Sequence, residues 1–413
     1  MTTNRIRRST TAAASVLLAL AGPFAAAPVA QADPAPASTP VHLTLPAPHG
    51  PDAVGTTDLH LVDRNRTDPW QPGRSRELMV TLWYPARSGG AGARAPQLSA
   101  GTAAAFADSL QRKFGLPTDT ADWAVTLTHG RTGVPAGAGR DCMPVVLYSP
   151  GAGGLRGQGT VLAEELASRG YLVVAIDHTY ESLAVEFPGG RTVAADSAAA
   201  GAAPRRLVDI RVADTRFVLD RLAVLNRGGN PDAEHRSLPT GLAGRIDLSA
   251  VGMTGHSLGG ATAAQVMHDD PRVDAAVDLD GGLDFGEEGP VGSVVADGLD
   301  RPFLLMNSGE WTHDDPFWQP FWANLRGPHR NIRLTGAGHL SYTDLQVQLP
   351  QIAAAGRVPA AAVQTQVGTI DPADSVVAQR AYVDAFFDLG LRHRDSHLLD
   401  GPSSRFPQAE FVE

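Results

Sequence analysis

Gly255-His256-Ser257-Leu258-Gly259 has the spacing of a nucleophile elbow, which holds a serine on a tight turn between a strand and a helix. The two glycines answer a steric need, because a Cβ at either place would collide with the neighbouring strand or helix. In a chain with 44 glycines the motif can arise by accident, so its setting carries the argument. Ala250-Val251-Gly252-Met253 reads as an apolar strand just before it. Gly260-Ala261-Thr262-Ala263-Ala264 opens a helix of small residues just after it. The chemistry implied is attack by the Ser257 hydroxyl on an acyl carbon, through a covalent acyl intermediate.

A serine hydroxyl needs a base to take its proton. His339, in Gly336-Ala337-Gly338-His339-Leu340, follows an apolar strand over 332–335, where the base belongs in a strand–elbow–helix protein. The other histidines are worse placed: His178 precedes the elbow, His313 and His329 lie in polar loops, and His393 and His397 lie in the tail. A carboxylate must then orient the imidazole. Two are offered at strand ends. Asp280 follows a strand over 273–279, and Glu310 follows one over 301–306 through Asn307-Ser308-Gly309. Asp278, two residues before Asp280, is expected on the same face of an extended strand. For the oxyanion, the elbow supplies the Leu258 N–H. The glycine-rich turn Ser149-Pro150-Gly151-Ala152-Gly153-Gly154 supplies the Ala152 N–H.

The elements that position these groups alternate. Strands are expected over 58–63, 77–84, 144–148, 171–176, 251–254, 273–279, 301–306 and 332–335. Helices are expected over 103–114, 161–168, 204–225 and 375–389, with 187–203 read as a loop. Such alternation predicts an α/β fold, a mostly parallel sheet flanked by helices. Residues 88–140 are rich in Gly and Ala and form a candidate cap over the site, within a single catalytic domain at 56–413. Trp311, Phe317, Trp318, Phe321 and Trp322 cluster beside the expected acid, as core or as the lining of an acyl pocket.

Residues 1–32 read as a signal for export. Arg5, Arg7 and Arg8 form a basic head, 11–21 a short apolar run, and Ala30-Gln31-Ala32 a small-x-small cleavage site. Residues 33–55 read as a flexible, Pro/Ala-rich leader. Removing the signal takes the formal net charge from −10 to −13, which disfavours nucleic acid as a partner. No transmembrane segment is expected. The single cysteine, Cys142, excludes an intrachain disulfide and is read as structural. Neither cofactor nor metal is expected; Thr312-His313-Asp314-Asp315 matches no strong metal motif.

At these residues the chain resembles the plasma-type platelet-activating factor acetylhydrolases and related secreted bacterial lipases. Residues 247–262 are similar to that family's elbow and Val277-Asp278-Leu279-Asp280-Gly281 to its acid strand. Gly338-His339 matches its histidine, and Tyr148-Ser149-Pro150-Gly151-Ala152-Gly153 its oxyanion turn. The resemblance covers most of 55–400. It implies an α/β-hydrolase fold, Asp280 as the acid, and metal-independent hydrolysis of a small-molecule or lipid ester with a short or modified acyl chain, with transient contact to a lipid surface. Two positions depart from the pattern: Leu258 stands where the family usually has Phe, and Pro150 where His is common. Secreted actinobacterial lipases and polyester hydrolases share the Ser-Pro-Gly turn and place the acid one strand later, which would favour Glu310 and a general lipase or polyesterase. A rival from another class is an inactive hydrolase-fold binding protein.

Overall fold

Every residue of 143–149 and of 172–177 is buried, the mark of strands covered on both faces. The computed structural model, which describes residues 39–137, 142–309 and 311–413, builds them into one large sheet. Its strands are β1 (Ala53–Thr67), β2 (Ser75–Ala86), β3 (Arg94–Pro96), β4 (Leu127–Thr132), β5 (Met143–Ser149) and β6 (Leu172–Asp177), then β9 (Ile246–His256), β10 (Val273–Leu279), β11 (Phe303–Ser308), β12 (His329–Leu334) and β13 (Ala409–Val412). A separate hairpin pairs β7 (Ala184–Phe187) with β8 (Arg191–Ala194). The order across the large sheet is β13-β12-β11-β10-β9-β5-β6-β2-β1-β4-β3. From β6 to β12 neighbouring strands are parallel, and β2 and β13 close that block antiparallel.

The side-chain alternation of the strands sorts the core into two layers. Val145 and Leu147 pack towards Leu207, Val218 and Leu222 of the Pro204–Asn226 helix and Ala261 and Ala264 of the Leu258–Asp269 helix. Val146 packs the other way, with Leu166 of the Thr160–Ser168 helix and Tyr382, Val383 and Phe387 of the Pro372–Arg392 helix. A third apolar cluster joins the Ala100–Phe114 helix to two helices after β12: Phe106, Leu110 and Phe114 meet Leu345, Leu349 and Val363. This puts the helix from the 88–140 segment against the loop region that carries His339.

From β5 the chain passes to β6 on one side, and later returns as β9 on the other. The carboxyl ends of β5 and β9 therefore flank a topological switch point, where a crevice opens. Several features differ from the sequence expectation. Within the expected leader, Leu43 and Leu45 are buried and β1 begins at Ala53, because apolar side chains there find a place in the core. The strands β3 and β4 and the helices Leu345–Ala354 and Ala360–Val367 stand where no element was expected. The β7–β8 hairpin runs into the expected 187–203 loop, turned at Gly189 and Gly190, both with φ 80°; a Gly-Gly turn between two short strands reads easily as a bare loop. The tail adds β13 beyond the expected last strand, and Cys142 is exposed at the start of β5 instead of packed.

Candidate active site

The two motifs that the sequence singles out meet at the switch point. Ser149 at the end of β5 is in register with Gly255 near the end of β9. A Cβ on Gly259 would sit 1.9 Å from the Ser149 carbonyl oxygen, and one on Gly255 would sit 2.4 Å from the same atom. Both obstacles are backbone, which cannot swing aside, so the strand and helix close on each other only with glycine at these places. Ser257 takes φ 54° and ψ −126° between β9 and the Leu258–Asp269 helix. That is a strained backbone for a residue with a Cβ, of the sort that persists where the surroundings over-determine it.

Asp280 and His339 are brought together although 59 residues separate them. His339 Nδ1 lies 2.6 Å from Asp280 Oδ2. The same carboxylate accepts the Ser308 N–H at 2.8 Å and the Ser308 hydroxyl at 2.7 Å. Burial opposes the charge on Asp280, but the hydrogen bonds from His339 and Ser308 outweigh it and hold the carboxyl below its usual range. With Asp280 as acceptor, Nδ1 of His339 carries the proton and Nε2 is left as a base. His339 and Ser257 line one cavity. His256, the variable residue of the elbow motif, sets its ring 4.5 Å from that of His339, tilted by 47°, and donates from Nε2 to the His339 carbonyl at 3.0 Å. Burial, with the neighbouring His339, pushes His256 down to about 3, so it stays neutral.

Asp278 does not join this group. It accepts the Gly281 N–H at 2.7 Å, and burial raises its carboxyl well above the usual range. The shared face expected of residues two apart fails because Asp280 lies past the strand end with φ 62°, which breaks the alternation. Glu310 lies outside the described residues. Of the other histidines, His178 is buried against Ser149, His313 stacks on Trp322, and His397 pairs with Asp400 at the surface.

Ser257 and His339 open into a cavity of about 180 Å³. Its floor is Gly151 to Gly154 and the elbow. Its walls are Phe106, Leu110 and Phe114, spaced one helical turn apart on the Ala100–Phe114 helix, with Leu183, Leu340 and Leu345. Ser109, Lys113, Gln158 and Thr343 add polar groups. Among the hydrogen bonds of the described residues, none is made by the Ala152 or Leu258 N–H. The aromatic segment after β11 takes no part in the cavity. Trp318 and Phe321 are core residues, and Trp318 donates to the Gly281 carbonyl at 2.7 Å. The pocket walls come instead from a helix that sequence reading placed only as a cap. Its i, i+4, i+8 stripe of Phe106, Leu110 and Phe114 was the available signal.

Compared with known proteins, residues 38–388 match the family described as platelet-activating factor acetylhydrolase, isoform II. A probable 1-alkyl-2-acetylglycerophosphocholine esterase of Arthroderma benhamiae is 29% identical over 286 residues, 66% of each chain. The platelet-activating factor acetylhydrolase of Cavia porcellus is 24% identical over 330 residues, 73% of this chain and 69% of its own. The chain thus spans about two thirds of the length of these curated relatives. The solved structure of a ferulic acid esterase from Streptomyces cinnamoneus is 38% identical, with a TM-score of 0.72, over 90% of this chain and 99% of that one.

Proposed function

Because this chain belongs to the platelet-activating factor acetylhydrolase, isoform II, family, we propose that it is a serine carboxylic-ester hydrolase for compact acyl groups, working through an acyl-enzyme on Ser257. His339 Nε2 takes the Ser257 proton as Oγ attacks the acyl carbon, and Asp280 stabilises the imidazolium that forms. The oxyanion is met by the N–H groups of Ala152 and Leu258. The proton then passes to the leaving alcohol, and water, activated by the same imidazole, releases the acid. The His339–Asp280 bond beside a cavity shared with Ser257 carries this reading. One catalytic domain, with the 88–140 segment as its cover, suffices for these steps.

The cavity supports the acyl class. At about 180 Å³ it is below the ~300–1,000 Å³ usual for drug-sized ligands, so it suits one short chain or one substituted ring and not a long fatty chain. A short-chain lipid ester, as in the names of the curated relatives, fits that size. A hydroxycinnamoyl ester is a second reading. Phe106 and Phe114 flank the cavity with Ser109 and Gln158 near, and the ferulic acid esterase is similar over almost its whole length. In a panel of p-nitrophenyl esters, kcat/KM should fall by ~10²-fold or more between butyrate and palmitate, because the surplus chain stays outside the cavity. Methyl ferulate and a 1-alkyl-2-acetyl phosphocholine, run beside them, choose between the two readings. Palmitate turned over faster than butyrate would defeat the compact-acyl assignment.

The basic head, apolar run and Ala30-Gln31-Ala32 site lie outside the described residues and support export. Protein recovered from the culture medium should begin near Asp33 on N-terminal sequencing. Recovery of the intact chain from the cytoplasm alone would contradict this.

A further inference from the structure

The oxyanion turn is held from behind by a charged network that the proposed chemistry does not use. Arg211, on the Pro204–Asn226 helix, is 1% exposed. Its guanidinium donates from Nη1 to the Pro150 carbonyl at 2.6 Å and from Nη2 to the Gly151 carbonyl at 3.0 Å. Glu181 grips the same guanidinium from the other side, at 3.0 and 2.9 Å from Nε. A third contact, from Nη1 to Ser149 Oγ at 3.2 Å, links Arg211 to a buried chain: Ser149 Oγ to His178 Nε2 at 3.0 Å, and His178 Nδ1 to Asp214 Oδ2 at 2.9 Å. Asp214 is neutralised by Arg76, whose Nε and Nη2 donate to it at 3.0 and 2.6 Å. Ser149, His178 and Asp214 have the connectivity of a hydrolytic triad, but all three are fully buried and none lines the cavity that holds Ser257.

We propose that Arg211 is a positioning residue of the oxyanion hole, acting through the Gly151–Ala152 peptide; this rests on the ester-hydrolase reading above. In a trans peptide the C=O and the next N–H point in opposite directions. Arg211 draws the Gly151 carbonyl inward, and so turns the Ala152 N–H outward to the cavity that holds Ser257. The Gly154 N–H also donates to the Gly151 carbonyl, at 2.9 Å, so Arg211 adds a second, charged hold on a peptide that a glycine-rich turn fixes only by that one bond. A cation on the carbonyl also polarises the amide, which makes the opposite N–H a stronger donor. The second carbonyl contact, to Pro150, fixes the turn where it leaves β5. A planar fork does this in one rigid geometry, which a lysine ammonium cannot copy.

The test is kinetic. Arg211→Lys should lower kcat by ~30-fold, somewhat less than the ~10²–10³-fold loss of deleting an oxyanion donor, with KM within threefold of wild type. A trifluoromethyl ketone bearing the preferred acyl group forms an oxyanion on Ser257, and its Ki should weaken by the same factor as kcat. The Ki of the corresponding amide, a ground-state mimic, should not move. Should Arg211→Lys fail to fold, the double variant Arg211→Met/Glu181→Leu removes the buried pair together and leaves no orphaned charge. It should show the same split. Wild-type kcat and ketone affinity in a folded variant, or equal weakening of both inhibitors, overturns the role of Arg211. A wild-type protein inert on every ester, and unlabelled by a fluorophosphonate, overturns the ester-hydrolase reading instead.

Discussion

Ser257→Ala is expected to fold as the parent does and to lose at least ~10³-fold in esterase kcat. Members of a nucleophile–base–acid unit act together, so losing the nucleophile leaves only what binding and the oxyanion hole supply. Folding should survive because the substitution removes one hydroxyl that makes no hydrogen bond among the described residues, while the elbow's strain stays as it was. The φ of 54° at residue 257 is as demanding for alanine as for serine. The thermal midpoint should therefore shift little. Wild type should be labelled covalently by a fluorophosphonate and the variant should not. Labelling of the alanine protein at a similar rate would mean that another residue is the nucleophile.

Asp280→Asn is expected to lose ~10⁴-fold at neutral pH. The argument lies in what the carboxylate's two oxygens accept. Oδ1 takes the Ser308 backbone N–H, which cannot turn away, so an amide at this place keeps its oxygen there. Its NH2 then faces His339 Nδ1, where the carboxylate now sits at 2.6 Å. Two donors cannot share that bond. The imidazole must move its proton to Nε2, and the nitrogen proposed to take the Ser257 proton is no longer a base. The Ser308 hydroxyl can rotate to suit either atom, so it does not alter the outcome. Glu310→Gln, by contrast, should cost ~10-fold or less. A dead Glu310→Gln beside an active Asp280→Asn would move the acid to the end of β11 and bring back the general lipase reading.

Local constraint explains how much was legible in the chain alone. The elbow could be read because Gly255 and Gly259 each lie against backbone, where no other residue fits, and because an apolar strand and a small-residue helix must flank them. The strands buried on both faces announced themselves as unbroken apolar runs, and with them the parallel sheet and the strand ends at which Asp280 and the glycine-rich turn after β5 lie. Sequence order alone left the acid open between Asp280 and Glu310, since both end strands. In the tertiary structure His339 lies against Asp280, because β10 and β11 are neighbours and Ser308 reaches across to hold the carboxylate.

The remaining decisions also depended on contacts that no local pattern records. The aromatic run after β11 looked as much like a pocket as a core, because hydrophobicity does not say which neighbour covers a ring. Packing gave Trp318 and Phe321 to the core, and gave the cavity to Phe106, Leu110 and Phe114 on a helix about 150 residues before the elbow. Arg211 carries no sequence signal at all. One of five arginines on an amphipathic helix reads as a solvated charge, and only the fold sets this one 1% exposed against the carbonyls of residues 150 and 151. Residue type and spacing thus determined which chemistry this protein could carry, since bond-making groups and tight turns are local properties. Which side chains shape and brace the site was decided by the tertiary structure, because burial and partnership belong to pairs of residues far apart in the chain.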